Sequence, residues 1–241
     1  GFIITPSGMD YATLTPGDLP KLSPGGAVLE GERRPSIEKE LHREVYLARR
    51  DVCAVVHTHS VCATAAAAMR LPLPVLTDNQ AVLFGGPVPV AEYAPIGTSE
   101  LARGTARALG DGAGVLMANH GALCVGATLR EAAQRCEMLE IFAKIFFLTK
   151  SCGGGVCLTA EQAGSEAADL AERTMSSACF AASSAARRFD SSACSPASCR
   201  RAPALFRACS SIRAPSASAS ARMRAIISCV PDMVIPPFAL D

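Results

Sequence analysis

No apolar run in this 241-residue chain approaches the ~18 residues that a membrane-spanning helix needs, which excludes a transmembrane helix. Net charge is almost absent: 23 Lys and Arg stand against 22 Asp and Glu, so nothing chain-wide draws the protein to nucleic acid or to an acidic membrane. The 11 cysteines include no Cys-x-x-Cys pair. The opening Gly1-Phe2-Ile3-Ile4-Thr5 lacks the charged region and cleavage site of a signal peptide. A disulfide framework is therefore not expected, and the chain reads as a reduced, cytoplasmic protein. The absence of an initiator Met leads us to expect residues upstream of Gly1. Histidine is scarce too, with four in all.

What is present divides in two. Apolar content of 49% and charged content of 19% suit a globular chain, and the length suits one to two domains. Between Ser176 and Ala225, however, 36 of 50 residues are Ala, Ser or Arg, with eight arginines against the single Asp190. So little large apolar surface cannot offset the entropy of ordering, and residues 174–241 are expected to be a disordered extension of a domain spanning 1–173. That extension is basic, but it has no Lys between Ser176 and Ala225 and almost no aromatics for base stacking, so no nucleic-acid partner is expected.

Within residues 1–173, short apolar runs alternate with helical periodicity. Residues 2–5 read as a strand closed by the turn Pro6-Ser7-Gly8, Leu19–Gly26 as a loop, and Ala27–Glu30 as a second strand. Ile37–Arg49 has helical spacing with Ser36 as N-cap, and Cys53–His59 is a buried strand followed by an Ala-rich helix over Val61–Met69. Strands are expected at Pro74–Leu76, Val88–Ala91, Val115–Ala118 and Ala122–Val125. Helices are expected at Leu101–Leu109, at Thr128–Leu148 with Thr128 as cap, and at Leu158–Arg173. The alternation implies a layered α/β domain. Cys53, Cys62, Cys124 and Cys136 lie in apolar or helical settings that suit small buried thiols.

His57 and His59 are two apart in a strand, so both imidazoles project from one face. Together with His120, at a strand end beside Gly121, they form a candidate set of three metal ligands with an open fourth position. Partly buried histidines bonded to backbone fit the same spacing. Glu38, at a helix start, is a candidate acid/base, or an ordinary first-turn glutamate favoured by the helix dipole. Ser7-Gly8 and Ser36 could offer hydroxyl and amide hydrogens to a phosphate, or serve only as turn and cap residues.

The set Ile4-Thr5-Pro6-Ser7-Gly8, Pro35-Ser36-Ile37-Glu38 with His42, Ala54-Val55-Val56-His57-Thr58-His59-Ser60 and Asn119-His120-Gly121 resembles the class II aldolase and adducin family, of the fuculose-phosphate aldolase and ribulose-phosphate epimerase type. The resemblance implies a three-layer α/β/α sandwich, usually a homotetramer with sites between subunits. It implies zinc, or another divalent metal, on His57, His59 and His120, with Glu38 moving a proton at the carbon next to the substrate carbonyl. Ser7, Gly8 and Ser36 would hold the phosphate of a small sugar substrate.

Related epimerases tend to carry Asp where this chain has Glu38, which favours carbon–carbon cleavage. An epimerase or a methylthioribulose-phosphate dehydratase-like activity remains an alternative, as does an inactive adducin-like module. The family's phosphate-contacting Gly-Asn-Val-Ser-type loop would precede Gly1. Ile37 stands where a second phosphate-binding Ser is often found, and Tyr93 is expected to pack rather than act as a second acid.

Overall fold

The computed structural model describes residues 1–165 and residue 168. The proposed boundary near residue 173 and the 174–241 extension lie outside the described residues. A small antiparallel sheet opens the chain: β1 (Phe2–Ile3) pairs with β2 (Lys21–Leu22), which pairs with β3 (Val28–Glu30). The middle strand falls in the stretch read as a loop. It is two residues long between Pro20 and the Ser23–Gly26 turn, too short for an alternation to show. It forms because Leu22 buries completely with Phe2 and Ile4.

Helix α1 (Lys39–Ala48) starts later than expected, because the Ser36 hydroxyl accepts from the Glu38 amide at 3.2 Å and Glu38 takes the N-cap position. There follow β4 (Ala54–Thr58), α2 (Val61–Ala68), α3 (Asp78–Phe84), β5 (Val90–Ala91), α4 (Ser99–Leu109), β6 (Gly114–Met117), β7 (Gly121–Gly126) and α5 (Leu129–Ser151). Side-chain caps set several of these starts. Thr98 accepts from Leu101 N at 3.2 Å, and Thr128 accepts from Glu131 N at 3.1 Å.

Pro74–Leu76 is not a strand, and α3 is a helix that the pattern does not announce. Both facts trace to Gln80, 2% exposed. Its side-chain amide donates to Pro74 O at 2.7 Å and its carbonyl accepts from Leu76 N at 3.2 Å. Those backbone groups are thereby satisfied without a strand partner. Beyond α5, helix resumes over 160–165, where the sequence expects one.

The main sheet has the order β4-β7-β6-β5, antiparallel except for the parallel β5–β6 pair. Strand alternation sends its side chains into two cores. Val55, Leu123, Val125, Val115 and Met117 pack with Leu41 and Val45 of α1 and Leu101 and Leu109 of α4. On the other face, Leu116, Ala122 and Cys124 pack with Ala63, Ala66 and Ala67 of α2 and Cys136, Leu139 and Phe142 of α5. The result is the expected α/β/α sandwich. Cys124 and Cys136 are buried as anticipated, and burial pushes the Cys124 thiol up, whereas Cys53 and Cys62 are only partly buried. Among the described residues, no helix is long and apolar enough to cross a membrane.

Candidate metal centre

Val55 points into the α1–α4 core, so the period of two puts His57 and His59 on that same face, at the end of β4 nearest the start of α1. Their rings meet edge to face with centroids 4.5 Å apart, and the two Nε2 atoms are 2.9 Å apart. His57 Nδ1 donates to the Ala122 carbonyl at 2.8 Å, which leaves its Nε2 with a lone pair facing the site.

The tight β6–β7 connection brings the third ring. Asn119 adopts a left-handed φ of 55°, a conformation Asn tolerates, and His120 N donates back to Met117 O at 3.0 Å. The His120 ring then lies 4.9 Å from that of His57 and 5.1 Å from that of His59.

Gly121 lies directly beneath these rings. A Cβ there would fall 2.5 Å from Thr58 O, 2.7 Å from His59 Cδ2 and 3.2 Å from His57 Cε1. Gly121→Ala is therefore expected to cost about 1–3 kcal/mol and to weaken metal binding at the same time. Thermal unfolding with and without added zinc measures both; unchanged stability and unchanged zinc response would contradict this packing.

Glu38 completes the cluster from the start of α1. Its Oε2 is 3.2 Å from His57 Nε2, and its Oε1 is 3.1 Å from His120 Nε2. Burial would raise this carboxyl, but the His120 and His57 imidazoles set against it hold it well below the usual carboxylate range. Burial lowers His59, and the neighbouring imidazoles add to that shift. His42, one turn after Glu38, was not among the expected site residues. Burial pushes its imidazole down to about 4, with His57 acting in the same sense and Glu38 opposing.

The donor set fits a metal ion. One ligand atom from each of Glu38, His57, His59 and His120 lies within 4.8 Å of all the others. Tetrahedral zinc, with bonds of about 2.0–2.1 Å, needs its donors about 3.4 Å apart. Glu38 Oε1 and His120 Nε2 are buried with no hydrogen-bond partner, a cost that a shared cation removes. Three imidazoles and a carboxylate are borderline-soft donors of the kind zinc and its first-row neighbours take.

The three remaining expected site residues sit together nearby in the chain's path. Pro6 and Pro35 form an antiparallel bridge, flanked by Ser7 N→Arg34 O at 2.9 Å and Ser36 N→Thr5 O at 3.0 Å. Those two amides are spent on the backbone, so Ser7 and Ser36 have only hydroxyls left to offer an anion. That corrects the expectation that their amides also serve. Gly8, with φ of 75°, has open space where a Cβ would be. Tyr93, expected to pack, is 57% exposed.

Residues 1–147 match the family model described as the class II aldolase and adducin N-terminal domain. The 5-deoxy-D-ribulose 1-phosphate aldolase of Bacillus thuringiensis serovar kurstaki is 38% identical over 151 residues, 62% of this chain and 70% of that protein. The L-fuculose phosphate aldolase of Escherichia coli K12 is 32% identical over 149 residues, 62% of this chain and 69% of its own. A solved L-fuculose 1-phosphate aldolase superposes with a TM-score of 0.68 at 39% identity, covering 70% of this chain and 79% of its own. The enzyme of that name from Thermus thermophilus gives 0.57 at 34% identity, covering 66% and 83%. With that match over more than half its length, the chain belongs to the class II aldolase and adducin family, as a metal-dependent, aldolase-type carbon–carbon lyase.

Proposed function

We propose that the protein is a zinc-dependent aldolase that cleaves a small phosphorylated ketose. The observation that carries this reading is the Glu38 carboxylate held between His57 and His120, inside a cluster of three imidazoles. A purely structural adducin-like module has no use for such a set.

His57, His59 and His120 hold the metal. When bound, zinc supplies positive charge beside the substrate carbonyl and lowers the cost of the negative charge that develops there. The remaining work falls to the chain. The hydroxyls of Ser7 and Ser36, with the open backbone at Gly8, hold the phosphate and so fix the carbonyl carbon relative to Glu38. In cleavage, the hydroxyl on the departing fragment gives its proton to water, the carbon–carbon bond breaks, and its electron pair passes into the carbonyl to give an enediolate. Glu38 takes up a proton from water and delivers it to the enediolate carbon. In the condensation direction, the same carboxylate removes that proton. An assembly of four chains belongs to the same reading, and sedimentation velocity measures it.

The relatives name two substrates for a first screen, 5-deoxyribulose 1-phosphate and fuculose 1-phosphate. Incubation with zinc-loaded protein is expected to release a short aldehyde and a three-carbon keto phosphate, both seen by mass spectrometry. An isomer of unchanged mass would indicate epimerisation instead, and loss of one water would indicate dehydration. Either product in place of the aldehyde overturns the aldolase assignment.

A further inference from the structure

His59 is the least supported of the three imidazoles. The β4–β7 ladder ends at the Thr58–Ala122 pair, one residue before it, and its ring is the exposed member of the cluster. His57, by contrast, is paired in the ladder and tied through Nδ1 to Ala122, and His120 sits in a closed turn. The position of His59 therefore depends on the next stretch of chain, Ser60 and the first turn of α2.

That turn is capped in an unusual way. The first N–H groups of a helix need acceptors, and Ser at the N-cap normally supplies one. Ser60 does not: it makes no side-chain cap hydrogen bond, and its hydroxyl is buried without a partner. The acceptors come from another helix. Glu140, in the middle of α5, reaches across with both carboxylate oxygens, Oε1 accepting from Cys62 N at 2.8 Å and Oε2 from Ala63 N at 2.9 Å.

A carboxylate on two amides at a helix N-terminus makes charge-assisted bonds reinforced by the dipole. The anchor is firm at its other end too, since Cys136 and Leu139 of α5 are in the buried core with Ala63, Ala66 and Ala122, and the Cys136 thiol donates to Val56 O of β4 at 3.5 Å.

We propose that Glu140 is a positioning residue for the metal centre. Acting through the Cys62 and Ala63 amides, it fixes the first turn of α2 and so holds His59 in place to complete the three-imidazole set. The proposal rests on the metal-centre reading of Glu38, His57, His59 and His120. Glu140 touches neither metal nor substrate; it lies beyond the end of β4, on the α2–α5 side of the sheet.

The test compares the full-length wild type with Glu140→Ala, Glu140→Gln and Thr128→Ala. The last removes the cap of α5 itself and serves as a control for general loss of stability. Zinc affinity is read by competition with a chromophoric chelator, and ligand geometry by the visible spectrum of the cobalt(II) form. Glu140→Ala is expected to weaken zinc binding by about 10- to 100-fold, the range typical of groups that orient metal ligands, and to alter the cobalt bands. Glu140→Gln, which keeps one acceptor oxygen, should recover part of the affinity, and Thr128→Ala should leave it unchanged.

In metal-free protein, Glu140→Ala should accelerate hydrogen exchange at Cys62 and Ala63 and shift the NMR signals of the His59 ring but not those of His120. Wild-type zinc affinity and cobalt bands in Glu140→Ala would overturn the proposal, as would an equal loss in Thr128→Ala. A wild type that binds no zinc would sink the metal-centre reading instead. Positioning by Glu140 is then decided by the metal-free experiment, where unmoved His59 signals overturn it.

Discussion

Replacing His57 with alanine is expected to reduce zinc from about one ion per chain to near none, and aldol cleavage to background with it. Removal of an outer residue that merely orients a ligand costs about 10- to 100-fold in metal affinity, and loss of a ligand should exceed that. Three contacts vanish with this one ring: the Nδ1 bond to Ala122 at 2.8 Å, the approach to His59 Nε2 at 2.9 Å and the approach to Glu38 Oε2 at 3.2 Å. Two imidazoles and a carboxylate remain, and His59, beyond the end of the ladder, has lost its nearest partner.

The backbone pairing of β4 with β7 does not depend on this side chain, so the fold should survive. Elemental analysis of protein purified without added metal, with circular dichroism as the check on folding, measures the effect. A folded variant that still holds one zinc per chain would show that the three imidazoles are not the ligands.

The sequence carried the metal centre further than it carried the surroundings. Two histidines separated by one residue in an apolar strand must share a face, and that argument needs no knowledge of the fold. The same holds for the helix start marked by Thr128, where the capping side chain lies three residues from the amide it serves. What escaped depends on side chains that fold back on a loop or on partners distant in sequence. Helix α3 and the irregular Pro74–Leu76 segment stand together because Gln80 folds back on a loop, a bond no periodicity encodes. Glu140 looks like any polar residue of a long helix until the fold sets it against Cys62, 78 positions away. Ser7 and Ser36 are in the expected stretches, yet only the Pro6–Pro35 bridge reveals that their amides are already engaged.

Glu38→Gln separates the proton-transfer role from the metal-holding role. The amide is nearly isosteric with the carboxylate, so the turn set by Ser36 and the start of α1 should be preserved. Three imidazoles remain to hold zinc, and roughly one ion per chain should be retained. Gln can neither remove a proton from carbon nor return one, and kcat is expected to fall by about 10²–10⁴-fold, the usual contribution of a placed acid/base.

A second readout isolates the step. Wild-type protein should exchange a hydrogen of the three-carbon keto phosphate, at the carbon next to its carbonyl, with deuterium from solvent in the absence of aldehyde. The variant should lose this exchange while still binding the keto phosphate, because Ser7, Gly8 and Ser36 are untouched. Loss of zinc together with exchange would assign Glu38 to the metal. Full exchange in a zinc-loaded Glu38→Gln would remove it from the chemistry and direct the search for the base to another group near the cluster, with His42, its imidazole held neutral by burial one turn along α1, the first to replace.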